Sequence, residues 1–286
     1  MTIEARELQA ILEALAPDAV DREVRPLTGG VSATTLLLTV RAAAGEVQRF
    51  VVRHRPKETS RGRLSPDAEA ALMTSLHERG LPVPRPLLRW SPDTFIMTWS
   101  PGDVRMPPHG PTSSAEALAR IHQQEGPFVE ALPALEDPTT LLERELTSAG
   151  ITLPVRELMG QAPIDRCLLH GDFWPANLLW ERGRLTAILD WEHAAIGDPL
   201  SDVACARVEF EVAEGREAAR TFTDRYLELS GREASRLSWW DLYVSAAALE
   251  SMGTWGLSPE VFAHRWAVTQ RFRDRAVETL SERFGR

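Results

Sequence analysis

The side chains best suited to chemistry lie in one stretch of the 286-residue chain, residues 168–192. Asp172 and Asn177 follow one apolar strand candidate, and Asp190 follows a second. Loops at strand ends let polar side chains converge on a ligand. Transfer of a phosphoryl group from a nucleotide needs a carboxylate to orient the attacking hydroxyl, and hard oxygen ligands for the metal that holds the phosphates. Asp172 suits the first need, and Asn177 and Asp190 suit the second.

The spacing of these residues is also informative. In protein kinases the pattern HRDxxxxN does this work, and His170, Asp172 and Asn177 stand at the same intervals. Asp190 then follows a short strand, where a kinase carries the aspartate of its DFG motif. Asp and Asn also cap turns for purely structural reasons, so coincidence is the alternative. Four matching elements in chain order favour the catalytic interpretation.

The same segment resembles the aminoglycoside phosphotransferases and their relatives, the kinase-like small-molecule phosphotransferases related to choline and homoserine kinases. The family pattern HGDxxxxN, followed by a strand and DxE or DxD, stands here at residues 170–177 and 190–192. Residues 197–202 are similar to the GDPxxD segment of the family. The central match is specific because several elements occur in the expected order.

This resemblance implies roles for individual residues. Asp172 is expected to be the catalytic carboxylate, and Asn177 and Asp190 are expected to bind Mg²⁺. His170 would support the loop, while Glu192 would reach the metal or the substrate or lie behind the ligands. The implied donor is ATP, with GTP left open, and the implied acceptor is a hydroxyl of a small molecule.

Flanking matches suggest a nucleotide site. They comprise a glycine loop (Gly29, Gly30, Ser32), a phosphate-binding strand residue (Arg53) with a helix partner (Glu69), and a hinge (Met97, Thr98, Trp99, Ser100). Protein kinases carry a lysine at the strand position, but Lys57, the only lysine here, lies beyond Pro56. Arginine stays charged and can bind phosphate through a fork of donors, so Arg53 is assigned that role. An ordinary turn is the alternative for the glycines, and a solvated helix face for Glu69.

The elements that must position these residues fall into two groups. Residues 34–40 and 47–54 are rich in β-branched and apolar side chains and favour a hairpin, and a helix is predicted to start at Ser65. The second half of the chain is mainly helical in pattern. With the resemblance, this predicts an α+β, bilobal, protein-kinase-like fold. The antiparallel-sheet N-terminal lobe would be residues 1–99, and the mainly helical C-terminal lobe, with catalysis and acceptor binding, residues 100–286.

Composition and charge indicate which partners and which cellular compartment to expect. The formal net charge of −9 argues against nucleic-acid binding, which usually needs a basic face. Residues 1–10 include charged side chains where a secretory signal would be apolar, and no apolar stretch is long enough to span a bilayer. Cys167 and Cys205 lack metal-ligand spacing. We therefore expect a cytoplasmic protein with free thiols, no membrane partner and an oligomeric state left open.

The acceptor is not identified by sequence. An aminoglycoside would need acids to pair with its ammonium groups, and the candidates are Glu209, Glu211, Glu214, Asp224, Asp241 and Glu250. A macrolide would need a roomier apolar pocket, which tryptophans could line. Metabolites of the choline, homoserine or sugar type are equally open. A catalytically silent nucleotide-binding regulator is a further alternative, whereas a hydrolase lacks any GxSxG or HExxH motif.

Overall fold

The structure is a computed structural model that describes residues 3–27, 33–56, 62–160 and 165–284. The chain divides into two units. The first comprises Met1–Asp103 and Leu179–His193, and the second comprises Val104–Leu178 and Ala194–Arg286. The sequence prediction placed a single boundary near Ser100 and did not assign the segment 179–193 to the first unit.

Backbone pairing explains why the later segment joins the first unit. Strands β7 (Leu178–Glu181) and β8 (Arg184–Ile188) form a hairpin, and this hairpin bonds to residues before Val104. Trp180 exchanges backbone hydrogen bonds with Asp103, and the N–H of Ile188 donates to the carbonyl of Pro82 at 2.7 Å. The hairpin ends in a loop that carries Asp190, so a residue distant in sequence enters the first unit.

The described part of the first unit holds a five-stranded antiparallel sheet in the order β1-β2-β3-β5-β4. Its strands are β1 (Ala19–Pro26), β2 (Thr34–Ala42), β3 (Val47–His54), β4 (Pro86–Ser91) and β5 (Thr94–Thr98). The hairpin predicted for residues 34–54 is β2 and β3, joined by a turn in which Gly45 has a φ of 86°. Gly adopts this left-handed conformation without steric cost.

Helix α1 (Ala5–Leu15) covers one face of the sheet. Its buried residues Ile11 and Leu12 pack with Leu38, Val52 and Ile96 in one core cluster. Successive side chains of a strand point to opposite faces. Because Val52 faces this core, the next residue of β3 faces the other side of the sheet.

That next residue is Arg53, and helix α2 (Pro66–Glu78) supplies its partner. The Ser65 side chain accepts a hydrogen bond from the N–H of Ala68 at 3.2 Å, and Pro66 occupies the first turn, as predicted. The buried face of α2 includes Leu72, Leu76 and Glu69. The helix therefore buries a carboxylate together with its apolar side chains.

The second unit is mainly helical. Its helices are α3 (Gly110–His122), α4 (Pro127–Glu130), α5 (Thr139–Ser148), α6 (Val155–Gly160), α7 (Leu200–Glu214), α8 (Arg216–Ser230), α9 (Leu237–Ser251) and α10 (Pro259–Phe284). Strands β6 (Cys167–Leu169) and β9 (Ala195–Gly197) pair antiparallel. In its core, Phe222 contacts both Phe173 and Phe210. Among the residues that the structure describes, no helix is long and apolar enough to cross a membrane.

Candidate active site

The loop after β6 brings Asp172 and Asn177 together. The amide Nδ2 of Asn177 donates to the backbone carbonyl of Asp172 at 2.9 Å and to its carboxylate Oδ2 at 3.0 Å. Between them, Pro175–Asn177 forms one turn of 3-10 helix, which folds the chain back. Gly171 has a φ of 80°, so the turn before Asp172 uses a conformation that favours glycine. The spacing found in the sequence is therefore the length of one closed, hydrogen-bonded loop.

Asp202, at the start of α7, anchors this loop. Its carboxylate accepts hydrogen bonds from the N–H of His170 at 2.7 Å and of Gly171 at 2.9 Å. His122 Nε2 lies 3.2 Å from the same carboxylate, and its Nδ1 lies 2.6 Å from the hydroxyl of Tyr226. Burial alone raises the pKa of Asp202, but the hydrogen bonds from His122 and His170 outweigh it and hold the pKa below its usual range. Asp202 is therefore a carboxylate that fixes the loop backbone.

His170 is fully buried beneath the loop. Its Nδ1 accepts a hydrogen bond from the N–H of Asp172 at 3.2 Å, and its ring meets Phe173 edge-on. These contacts suit the supporting role predicted for His170.

The first unit contains a second group of predicted residues, gathered around Arg53. Arg53 Nη2 donates to Asp190 Oδ1 at 2.5 Å and to Glu192 Oε2 at 2.7 Å, and Arg53 Nε lies 3.3 Å from Glu69 Oε1. Desolvation opposes the charge of Arg53, but the three carboxylates outweigh it and raise the pKa of the guanidinium. Burial raises the pKa of Glu69 to about 7, against the opposing effect of the arginines. The predicted pair of Arg53 and Glu69 is thus part of a larger ion network.

Asp190 has an unusual backbone. Its φ is 65°, a conformation that non-glycine residues seldom adopt and that often marks a functional site. The conformation holds the carboxylate of Asp190 against Arg53, which comes from a strand 137 residues earlier.

Sequence reasoning missed two members of the network, Arg55 and Arg63. Arg55 Nη1 donates to Glu192 Oε2 at 2.5 Å, and Arg55 Nη2 lies 3.1 Å from Glu69 Oε2. Arg63 Nε lies 2.9 Å from Glu192 Oε1. A usable signal was the i, i+2 spacing of Arg53 and Arg55, which places two cations on one side of an extended segment.

The hinge residues lie at the end of β5 and directly after it. Met97 lies between Val51 and Pro86 in the sheet, and Thr98 bonds to Arg85 through both its N–H and its hydroxyl, each at 2.9 Å. Trp99 and Ser100 follow the end of β5, and the guanidinium of Arg49 lies 4.9 Å from the Trp99 ring centroid. The predicted glycine-loop residues Gly29, Gly30 and Ser32 lie outside the residues that the structure describes.

A cluster of aromatic and charged side chains lies beside the Asp172 loop. Arg265 is placed over the rings of Trp174 and Trp255, at 5.6 and 5.5 Å from their centroids, and Arg265 Nη2 donates to both carboxylate oxygens of Glu209 at 2.7 and 2.5 Å. Burial raises the pKa of Glu209, although Arg265 opposes this. Arg265 therefore contacts two tryptophan rings and one carboxylate.

Most acids proposed for a cationic acceptor already have arginine partners. The pairs are Glu209 with Arg265, Glu211 with Arg275, Asp241 with Arg207, and Glu250 with Arg144. These four acids are therefore already paired with arginines of the same unit.

The predicted metal ligands fit a magnesium ion by their chemistry. Two hydrogen bonds hold Asn177 Nδ2 toward Asp172, so the amide oxygen Oδ1 points the other way, and Asp190 supplies a carboxylate. Within the described ranges, no group of three or more His, Cys, Asp or Glu side chains could hold a metal by itself. Mg²⁺ usually binds one or two protein oxygens together with substrate phosphates and water. The amide oxygen of Asn177 and the carboxylate of Asp190, one from each unit, are ligand types that suit such an ion.

Comparison with known proteins identifies the chain's relatives. A family model described as the phosphotransferase enzyme family matches residues 23–240. Acyl-CoA dehydrogenase family member 11 of Homo sapiens is 28% identical over 196 residues, covering 55% of this chain and 25% of that protein. An aminoglycoside 3′-phosphotransferase of Streptomyces fradiae is 29% identical over 192 residues, covering 57% of this chain and 71% of that protein. The chain thus spans about a quarter of the acyl-CoA dehydrogenase relatives.

Solved structures resemble the whole chain. Aminoglycoside phosphotransferase APH(4)-Ia, in a complex with ADP and hygromycin B, has a TM-score of 0.62 at 19% identity, covering 95% of this chain and 98% of that one. The macrolide 2′-phosphotransferase MphH of Brachybacterium faecium has a TM-score of 0.58 at 21% identity, covering 92% and 97%. At these identities the likeness establishes the fold, and it confirms the predicted α+β architecture.

Proposed function

Because this chain belongs to the phosphotransferase enzyme family, we propose that it transfers the γ-phosphoryl group of ATP to a hydroxyl of a small molecule. The observation that carries the proposal is the closed loop of Asp172 and Asn177 held by Asp202. Such a loop presents a carboxylate in a fixed place, and positioning is the main contribution of an enzyme to phosphoryl transfer.

Asp172 orients the acceptor hydroxyl and accepts its proton. Asn177 holds the carboxylate through Nδ2, and Asn177 and Asp190 would be the protein ligands of Mg²⁺. Arg53 binds the nucleotide phosphates, and Glu69 steadies it from α2. When bound, Mg²⁺ neutralises charge on the phosphate oxygens.

ATP is the proposed donor, with GTP as the competitor in the test. Support comes from relatives whose structures contain ADP or the ATP analogue AMP-PNP. The base is expected beside the hinge, where Trp99 and Ser100 continue beyond the sheet.

The two free cysteines, Cys167 and Cys205, support a reducing cytoplasm as the setting.

The arginine partners of the acids favour a particular acceptor. Arg265, between Trp174 and Trp255, occupies the position in which an aromatic pair would hold a cationic group. Its pairing with Glu209 leaves that location neutral overall. This observation favours the second candidate, a metabolite kinase whose hydroxylated substrate carries little positive charge, over an enzyme for polycationic aminoglycosides.

The test is a phosphate-transfer screen with Mg·ATP and Mg·GTP over sugars, amino alcohols, hydroxy acids, aminoglycosides and macrolides. We expect transfer to a weakly charged alcohol, and we expect Asp172→Asn to lower kcat by about 10² to 10⁴, the usual contribution of a positioned acid or base. The variant should still bind Mg·ADP. Nucleotide binding without transfer to any acceptor would instead identify a silent regulator, and near-normal turnover by Asp172→Asn would remove the catalytic assignment.

A further inference from the structure

The ion network of the first unit holds two arginines, Arg55 and Arg63, besides the proposed phosphate-binding residue Arg53. Arg53, Arg55 and Arg63 face Glu69, Asp190 and Glu192, so three arginines meet three carboxyl groups in the described network. The two arginines nearest in sequence share two carboxylates, Glu69 and Glu192. Their burial differs, and this difference separates their roles.

Arg55 is the interior member. Its side chain is 1% exposed, and besides Glu69 and Glu192 it donates to the backbone carbonyl of Leu64. The N–H of Leu64 in turn donates to the carbonyl of Glu192 at 2.7 Å. Arg55, Leu64 and Glu192 therefore form a closed set of bonds. Breaking it would leave buried charges without partners, which is costly.

Arg53 and Asp190 form the outer part of the network. The Arg53 side chain is 11% exposed and the Asp190 side chain 25%, against 1% for Glu69 and 3% for Glu192. In the structure these two residues bind each other. To bind phosphate, Arg53 must exchange Asp190 for the ligand. The buried acid Glu192, which Arg53 Nη2 also contacts, must then keep another positively charged partner.

We infer that Arg55 is a positioning residue that pairs with Glu69 and Glu192, so that Arg53 Nη2 can exchange Asp190 and Glu192 for the nucleotide phosphates while Arg53 Nε stays beside Glu69. This inference rests on the proposed function. If Arg53 Nη2 and Asp190 turn to the ligand, Glu69 keeps Arg55 as a partner and Glu192 keeps Arg55 and Arg63. Each buried carboxyl group then still has an arginine partner. Without Arg55, Glu192 would keep Arg63 but Glu69 would depend on Arg53 within the described network, so these nearly fully buried carboxyl groups would retain Arg53.

The experiment is a double-variant cycle on the full chain, with Arg55→Met, Glu192→Gln and their combination. Mg·ADP affinity is measured by calorimetry, and ADP with EDTA gives the same comparison without metal. We expect Arg55→Met to weaken both affinities on the order of tenfold, a typical coupling within one salt-bridge network. Adding Glu192→Gln removes a carboxylate that retains Arg53 and should restore most of the loss.

The control is Arg89→Met, since Arg89 forms an exposed ion pair with Asp67 in the same unit. It should leave the affinity unchanged. If Arg55→Met does not fold, Arg55→Gln replaces it, because glutamine removes the charge but keeps hydrogen-bond donors; a weaker affinity restored by Glu192→Gln is again expected. Wild-type affinity in the Arg55 variant, or a double variant no better than the single, would overturn the inference. A wild-type chain that does not bind Mg·ADP would overturn the proposed function and this inference with it.

Discussion

Replacing Asp202 by alanine should release the loop that carries Asp172. In the structure the Asp202 carboxylate accepts the N–H groups of His170 and Gly171 at 2.7 and 2.9 Å. Alanine accepts neither bond, and His122 Nε2 loses the same partner. The loop would then be joined to the helical unit by fewer bonds, although its own bond between Asp172 and Asn177 remains.

The size of the effect follows from the burial of each donor. His170 is fully buried, so its N–H would be left without a partner at a cost of about 1 to 3 kcal/mol. Gly171 is exposed, so water can replace the carboxylate there and the loss is about 1 kcal/mol. We therefore expect the free energy of unfolding to fall by about 2 to 4 kcal/mol. A shift of Asp172 by roughly 1 Å would lower kcat on the order of 10²-fold.

Urea denaturation measures the first quantity, and saturation kinetics on the acceptor found by the screen measures the second. Asp165→Asn is the control, because Asp165 also pairs with an arginine, Arg232, but its side chain is 81% exposed. Such a surface pair contributes little. Unfolding at the wild-type urea concentration together with unchanged kcat would refute the view that Asp202 holds the catalytic loop.

Three further outcomes are expected. Burial raises the pKa of Asp241 from 3.8 to about 7. The folded state therefore binds more protons than the unfolded state, so the free energy of unfolding should fall as pH rises from about 4 to 7. The expected loss is roughly 4 kcal/mol, at about 1.36 kcal/mol per pKa unit. Asp241→Asn should flatten this pH dependence in denaturation series at several pH values. A slope that persists in the variant would show that another group causes it. Gly102 has a φ of 118°, and an added Cβ would lie 2.6 Å from a backbone oxygen, so Gly102→Ala should destabilise by about 3 kcal/mol or more in thermal unfolding. Gly45→Ala, with a φ of 86° and no atom within 4 Å, should cost only about 1 kcal/mol, and equal losses would contradict the steric argument. Asp190→Ala should weaken ADP binding in calorimetry with Mg²⁺, because a proposed metal ligand is lost. It should not weaken ADP binding with EDTA, because Arg53 only loses a partner that competes with the phosphates. An unchanged effect of Mg²⁺ would exclude Asp190 as a ligand.

The sequence by itself determined the features that depend on contacts between residues close together in the chain. The catalytic loop was predictable because its bonds join residues two and five positions apart, His170 with Asp172 and Asp172 with Asn177. The start of α2 at Ser65 and the hairpin of β2 and β3 follow from local capping and strand patterns in the same way. Each of these structures forms from neighbouring residues, so a fixed spacing in the chain records it.

Only the tertiary structure decided which distant charges meet. The pairing of Arg55 with Glu192 and of Arg53 with Asp190 each joins residues 137 positions apart, and the segment 179–193 joins the first unit through backbone bonds. Four of the acids proposed for the acceptor likewise turned out to have arginine partners. Ion pairs between distant elements have no period along the chain, because their geometry depends on how sheets and helices pack. The charged residues are therefore readable from sequence, whereas their partners are not, except where a resemblance suggests them, as for Arg53 and Glu69.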